Sequence, residues 1–150
     1  IVEAFKQMPD KKLLVIYWEN DPQKQKIFTI ASWYNNINFK TLPWNRGFTD
    51  YVGKCIATIY IPIDEDFGMS PVESMSAWKP VLWVDDGWLK ETIIDGKTWY
   101  LIPKEANIED IIDAINKLTI ESCIEMKEDC IERAKEFSLV QFEKKLKEYV

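Results

Sequence analysis

Between residues 55 and 81 the chain reads as an apolar strand, a polar turn carrying Gly68, and a segment of helical character over residues 69–78. No other stretch limits the fold as tightly. A strand that passes through a tight glycine turn into a helix brings unpaired backbone N–H groups and the positive helix end to one point, an anion site. Two glutamates bracket that turn: Glu65 in the loop and Glu73 inside the helix. Ionised carboxylates only accept hydrogen bonds, so they suit hydroxyl-rich ligands better than phosphate. Hydroxyls beside a phosphate point to a sugar nucleotide.

The rest of the chain repeats the alternation. Residues 12–18, 36–40, 57–61, 80–84 and 99–102 read as strands, being short, apolar and rich in β-branched residues. Helical segments are expected over residues 23–32 and 48–54, with a helical tail. In that tail Ile108, Ile111, Ile112, Ile115 and Leu118 form one apolar stripe, and Cys123, Met126, Cys130, Ala134 and Phe137 a second. Ser138 and Gln141 form a capping box for a last helix bearing Phe142, Leu146 and Tyr149. The charged faces of these tail helices are expected to be solvated surface. Strands alternating with helices predict an α/β fold, a Rossmann-like doubly wound parallel sheet of about five strands. Ligands of such sheets sit beyond the carboxyl ends of the strands, where residues 65–70 fall.

Composition narrows the function classes. A chain of 150 residues is expected to be a single domain over 1–150. Its net charge of −6 argues against nucleic acid, whose affinity rests on Lys and Arg neutralising phosphates. No apolar run approaches the ~20 residues that span a bilayer. Three cysteines without a close pair form neither a disulfide framework nor a zinc spacing, which predicts reduced, buried thiols and a cytoplasmic protein. With no histidine in the chain, a His-based acid, base or metal ligand is excluded. The sequence opens inside an expected helix, so an N-terminal truncation is expected.

Glu65-Asp66-Phe67-Gly68, four further residues, and Glu73-Ser74-Met75-Ser76-Ala77-Trp78-Lys79-Pro80-Val81 resemble the signature of the family 4 retaining glycosyltransferases. That signature runs Glu-x-Phe-Gly, four residues, Glu-Ala-Met-Ala-x-Gly-Lys-Pro-Val. Gly87-Trp88-Leu89-Lys90-Glu91 and Gly96-Lys97-Thr98-Trp99-Tyr100-Leu101-Ile102 resemble the family's Gly-Gly-x-x-Glu and Gly-x-x-Gly-x-Leu-Val in the same order. Glu3-Ala4-Phe5-Lys6 resembles the first helix of the donor domain. The resemblance implies the C-terminal, donor-binding half of a two-domain GT-B enzyme that moves a hexose, such as mannose or glucose, from a nucleoside diphosphate sugar to an acceptor.

Carried over residue by residue, Glu65 is the catalytic carboxylate, bonding donor hydroxyls and balancing charge at the anomeric carbon. Phe67, Gly68, Met69 and Ser70 surround sugar and diphosphate, Glu73 takes both ribose hydroxyls, and Gly87 faces the phosphates. Asp64-Glu65-Asp66 also mimics the metal-binding Asp-x-Asp of the other large glycosyltransferase architecture, but the order of motifs implies a metal-independent enzyme with no cofactor. The implied partners are the nucleotide sugar and a missing N-terminal acceptor domain, and the resemblance admits peripheral membrane association of the full enzyme. One departure stands out. Trp78, Trp88 and Trp99 occupy glycine positions of the pattern, Trp83 that of a small residue, and Tyr17 and Thr41 stand at glycine positions as well. Either the site is altered or the chain is a modified form of a natural sequence. The competing reading is a non-catalytic module of the same fold, its donor pocket blocked by these indoles.

Overall fold

The computed structural model describes residues 1–17, 19–41, 48–61, 69–85, 92, 94 and 96–148, with backbone only for Phe48, Thr49 and Trp99. Five strands alternate with helices: α1 (Val2–Lys6), β1 (Leu13–Tyr17), α2 (Lys24–Ala31), β2 (Ile37–Thr41), α3 (Phe48–Lys54), β3 (Thr58–Tyr60), α4 (Met69–Ser76), β4 (Val81–Val84) and β5 (Trp99–Ile102). The helical tail follows as α5 (Ile108–Lys117), α6 (Ile120–Glu125), α7 (Lys127–Lys135) and α8 (Leu139–Glu148). All strand pairs are parallel, as expected. Among the described residues the strands form two ladders, β1–β2 and β3–β4–β5. At three residues, β3 offers few backbone groups for a second ladder beyond the one with β4.

Burial explains the apolar run at residues 81–84. Every residue of β4 is buried, the pattern of a strand covered on both faces. Helix α4 packs against β3 and β4, and α5 lies on β5. Val81, Leu82, Trp83 and Met75 are fully enclosed, and each such apolar side chain contributes ~1.5–3 kcal/mol. Trp83, expected at a small-residue position, instead fills the core with its ring 4.8 Å from Tyr60. β1 is less buried than its apolar sequence predicts, with Leu14 exposed. Polar locks join the layers. Asn36 Nδ2 donates to the carbonyls of Phe5, Met8 and Lys11 at 2.8, 3.0 and 3.0 Å, closing the end of α1 onto the start of β2. Thr58 Oγ1 donates to Ser74 Oγ at 2.9 Å, tying α4 to β3.

The tail is more divided than its periodicity suggests. The second apolar stripe is split at Met126, which ends α6 and begins α7. Asn107 with Asp110 and Thr119 with Ser122 form capping boxes that start α5 and α6. Ser138 Oγ accepts from the Gln141 N–H at 3.4 Å, the backbone half of the expected cap on α8. Helix α8 buries none of its residues, and Leu139, Phe142 and Leu146 stand exposed.

The end of α4 carries the one positive-φ residue other than glycine among those described. Trp78 has φ 66°. Its N–H donates to Met75 O at 2.9 Å and the Lys79 N–H to Ser74 O at 3.0 Å, the two reverse bonds of a Schellman stop. Glycine is the usual residue at that left-handed position, because a Cβ there costs ~1–2 kcal/mol. Against the strain stands the Lys127 ammonium, 4.0 Å from the Trp78 ring centre, a contact worth ~0.5–1 kcal/mol on a surface. Trp78→Gly is therefore expected to raise stability by about 0.5–1 kcal/mol in urea unfolding. Trp78→Ala, which keeps the strain and loses the ring, is expected to lower it. A glycine variant less stable than the alanine variant would contradict this reading of the turn.

Candidate functional site

Parallel pairing sets the geometry. Tyr60 lies opposite Trp83, and Trp83 opposite Leu101, so β3, β4 and β5 end side by side at one sheet edge. The chain leaves β3 there into residues 62–68 and leaves β4 there into residues 86–91. Asp85, just past β4, donates its N–H to Ile102 O at 2.8 Å and keeps the two strand ends together. Helix α4 then carries the chain back from that edge to the start of β4. Its N-terminus consequently opens beside the carboxyl ends of the strands, where the helix field favours an anion.

The sequence of α4 sorts its side chains into two faces. Pro71, Val72, Ser74 and Met75 point into the core, and Pro71 is tolerated because it lies in the first turn. Met69, Glu73 and Ser76 are exposed. Met69 and Glu73, four apart, lie on one outer face a turn from each other. Ser70 is half-buried between the two faces. A glutamate in the first turn of a helix would be favoured there by the helix dipole alone. The helix has no acidic residue in its first turn, and Glu73 sits one turn in, with its carboxylate exposed.

Of the residues singled out by sequence, Met69, Ser70 and Glu73 are thus brought to one end and outer face of α4. Glu65, Phe67, Gly68 and Gly87 lie outside the described residues, as do Asp64, Asp66 and Trp88. Among the described residues, no group of three or more Cys, Asp or Glu is placed to hold a metal, and no helix is long and apolar enough to cross a membrane.

The tryptophans divide differently from expectation. Trp78 ends α4 at the opposite edge of the sheet, over Lys127. Trp83 is enclosed in the core. Trp99 begins β5, paired with Val81, again at the amino edge. Trp78 and Trp99 thus lie at the amino edge, and Trp83, although near the carboxyl end of β4, is enclosed in the core. Only Trp88, by its place in the chain, belongs to a stretch leaving the carboxyl edge.

Helix α7 touches residues that follow both stretches in the chain. It packs against α4, and its Arg133 Nε donates to the buried Thr92 carbonyl at 2.8 Å. One turn earlier, Cys130 Sγ lies 3.6 Å from Thr98 O. Arg133 was expected on a solvated helix face. Its side chain is instead largely covered and also pairs with Glu136. Periodicity does not distinguish it from its exposed neighbours, since the acceptor is a backbone carbonyl 41 residues away.

A doubly wound α/β domain with a helix N-terminus and an exposed carboxylate at the carboxyl edge of its sheet belongs to the class that binds small ligands at that edge. The chain is a member of the glycosyl transferases group 1 family, which matches residues 1–137. It is 44% identical over 64 residues to alpha-1,3/1,6-mannosyltransferase ALG2 of Dictyostelium discoideum, covering 43% of this chain and 15% of that protein. Sucrose-phosphate synthase from Thermosynechococcus elongatus shares the fold, with a TM-score of 0.79 and 20% identity over 99% of this chain and 42% of that one. The pneumococcal O-GlcNAc transferase GtfA, described with UDP and GlcNAc, gives a TM-score of 0.76 and 19% identity over 99% of this chain and 31% of that one. The chain spans less than half the length of these relatives, and its fold is the Rossmann-like half of a GT-B glycosyltransferase.

The thiols stand apart from this chemistry. All three are free, and burial pushes Cys130 from the ordinary 9.0 up to about 12. A raised pKa means that the folded chain holds this proton after the unfolded chain has lost it. The native advantage is complete below about pH 9 and declines as pH climbs towards 12. The stability gap between the parent chain and Cys130→Ala is therefore expected to narrow from about pH 8 to about pH 11 in urea titrations. A gap independent of pH would contradict it.

Proposed function

We propose that this chain is the donor-binding part of a retaining glycosyltransferase that transfers a hexose from a nucleoside diphosphate sugar to an acceptor. The acceptor site belongs to the remainder of a longer protein. The observation that carries this reading is the placement of α4, whose N-terminus opens at the carboxyl edge of the β3–β4–β5 ladder with Glu73 exposed one turn in. Mannose is the favoured sugar on the name of the relative that shares 44% identity over 64 residues.

In this proposal, backbone N–H groups of Phe67, Gly68 and Met69 hold the diphosphate and sugar, with Ser70 and Gly87 alongside. Glu73 accepts from both ribose hydroxyls, a bidentate role that a carboxylate fits. Glu65 bonds donor hydroxyls and balances positive charge at the anomeric carbon as the diphosphate departs from the face that the acceptor attacks. Departure of that diphosphate needs positive charge beyond the helix end, which falls to basic groups of the remainder of the protein rather than to a metal. The blocked-module reading loses force for Trp78 and Trp99, at the amino edge, and for Trp83, whose ring is enclosed in the core, and rests on Trp88 alone.

Glu73→Gln keeps the shape of the side chain and removes its charge. Charge-assisted hydrogen bonds are worth ~1.5–3 kcal/mol, so nucleoside diphosphate affinity is expected to fall roughly tenfold to a hundredfold. The preference for ribose over 2′-deoxyribose nucleotide should largely vanish with it. Calorimetric titration of both nucleotides into both proteins measures this, and equal discrimination before and after the substitution would remove Glu73 from the site.

A further inference from the structure

Trp78 sits in a turn built for glycine. Its φ of 66° belongs to the left-handed region, and both Schellman bonds around it are made. A bulky residue held there needs compensation from burial, yet Trp78 is 51% exposed and lies over the Lys127 ammonium. An exposed indole at this helix end neither packs the core nor eases the backbone.

The substitution pattern is uniform. In the segments 73–81, 87–91 and 96–102, the glycine positions at 78, 88 and 99 are all occupied by tryptophan, while Gly87 and Gly96 are retained. Relaxed selection at left-handed positions favours Asn, Asp or Ala-sized residues, since short side chains strain the turn least. A change to the largest side chain at all three does not follow from backbone energetics, whereas one codon read in two ways would produce it. UGA is read as tryptophan in some genetic codes and as glycine in others. Composition agrees in direction: seven Trp beside five Gly is unusual for a doubly wound domain, and glycine at the three positions would leave four Trp beside eight Gly.

We infer that Trp78, Trp88 and Trp99 are positions at which the cell of origin inserts glycine, each encoded by UGA. The turn after α4 is then relaxed, and the stretch after β4 carries the Gly-Gly pair that lets a backbone approach a phosphate closely. The inference concerns the identity of residues and is independent of any ligand.

The test is the mass of the protein taken from the cells that make it. Lys79 is followed by proline, so trypsin releases residues 55–90 as one peptide holding positions 78 and 88, and residues 98–104 as another holding position 99. The expected result is glycine at all three positions by fragment-ion mass, with UGA at the matching codons. Tryptophan at any of the three, or a UGG codon there, would overturn it.

Discussion

The parallel pairing of β3 with β4 and β4 with β5 is the constraint on which the rest depends. Parallel strands cannot be joined by tight turns, so each must be followed by a crossover that returns over the sheet. That requirement makes α4 run from the carboxyl edge back to Pro80, and it fixes which end of α4 meets the ligand edge. It also covers β4 on both faces, which explains why Val81, Leu82, Trp83 and Val84 form an unbroken apolar run. Helix dipole, exposed Glu73 and two loop exits converge at one edge because the strands run the same way.

A second layer of constraint comes from α7. This helix touches α4 through packing and the 92–98 segment through Arg133 and Cys130. Both stretches that leave the carboxyl edge are followed by residues resting on the same helix. Its own charge pattern gives little hint of this, because Arg133 acts through a backbone acceptor and a covered side chain. The exposed apolar side of α8 contrasts with it. Leu139, Phe142 and Leu146 follow a helical spacing with no covering element among the described residues, and α8 lies beyond the 137 residues shared with the family.

Much of this was legible in the amino-acid order. The five strands fall within a residue or two of their expected places, because short β-branched runs bounded by polar turns permit little else. Met69 and Ser70 could be placed at a helix start, and Glu73 inside it, from the glycine turn and the apolar spacing. The locks were not legible. Asn36 reaches three carbonyls in α1 and the turn that follows it, and the Thr58–Ser74 bond joins a strand to a helix 16 positions on. Such bonds obey no period. The split between α6 and α7 at Met126 was hidden by an apolar stripe that continues through it. The left-handed backbone at Trp78 was foreshadowed only by the glycine expected there, and the side chain present argues against it.

The central claim is that a nucleoside diphosphate binds at the carboxyl edge, against the N-terminus of α4. Amide hydrogen exchange, followed along the chain with and without UDP or GDP, tests it most directly. The account predicts added protection at the start of α4, around Met69 and Ser70, and just past β4 at Asp85, with α8 unchanged. Protection confined to α8 or to the amino edge near Trp78, or none at any position with the nucleotide at millimolar concentration on the order of weak-site affinities, would contradict it.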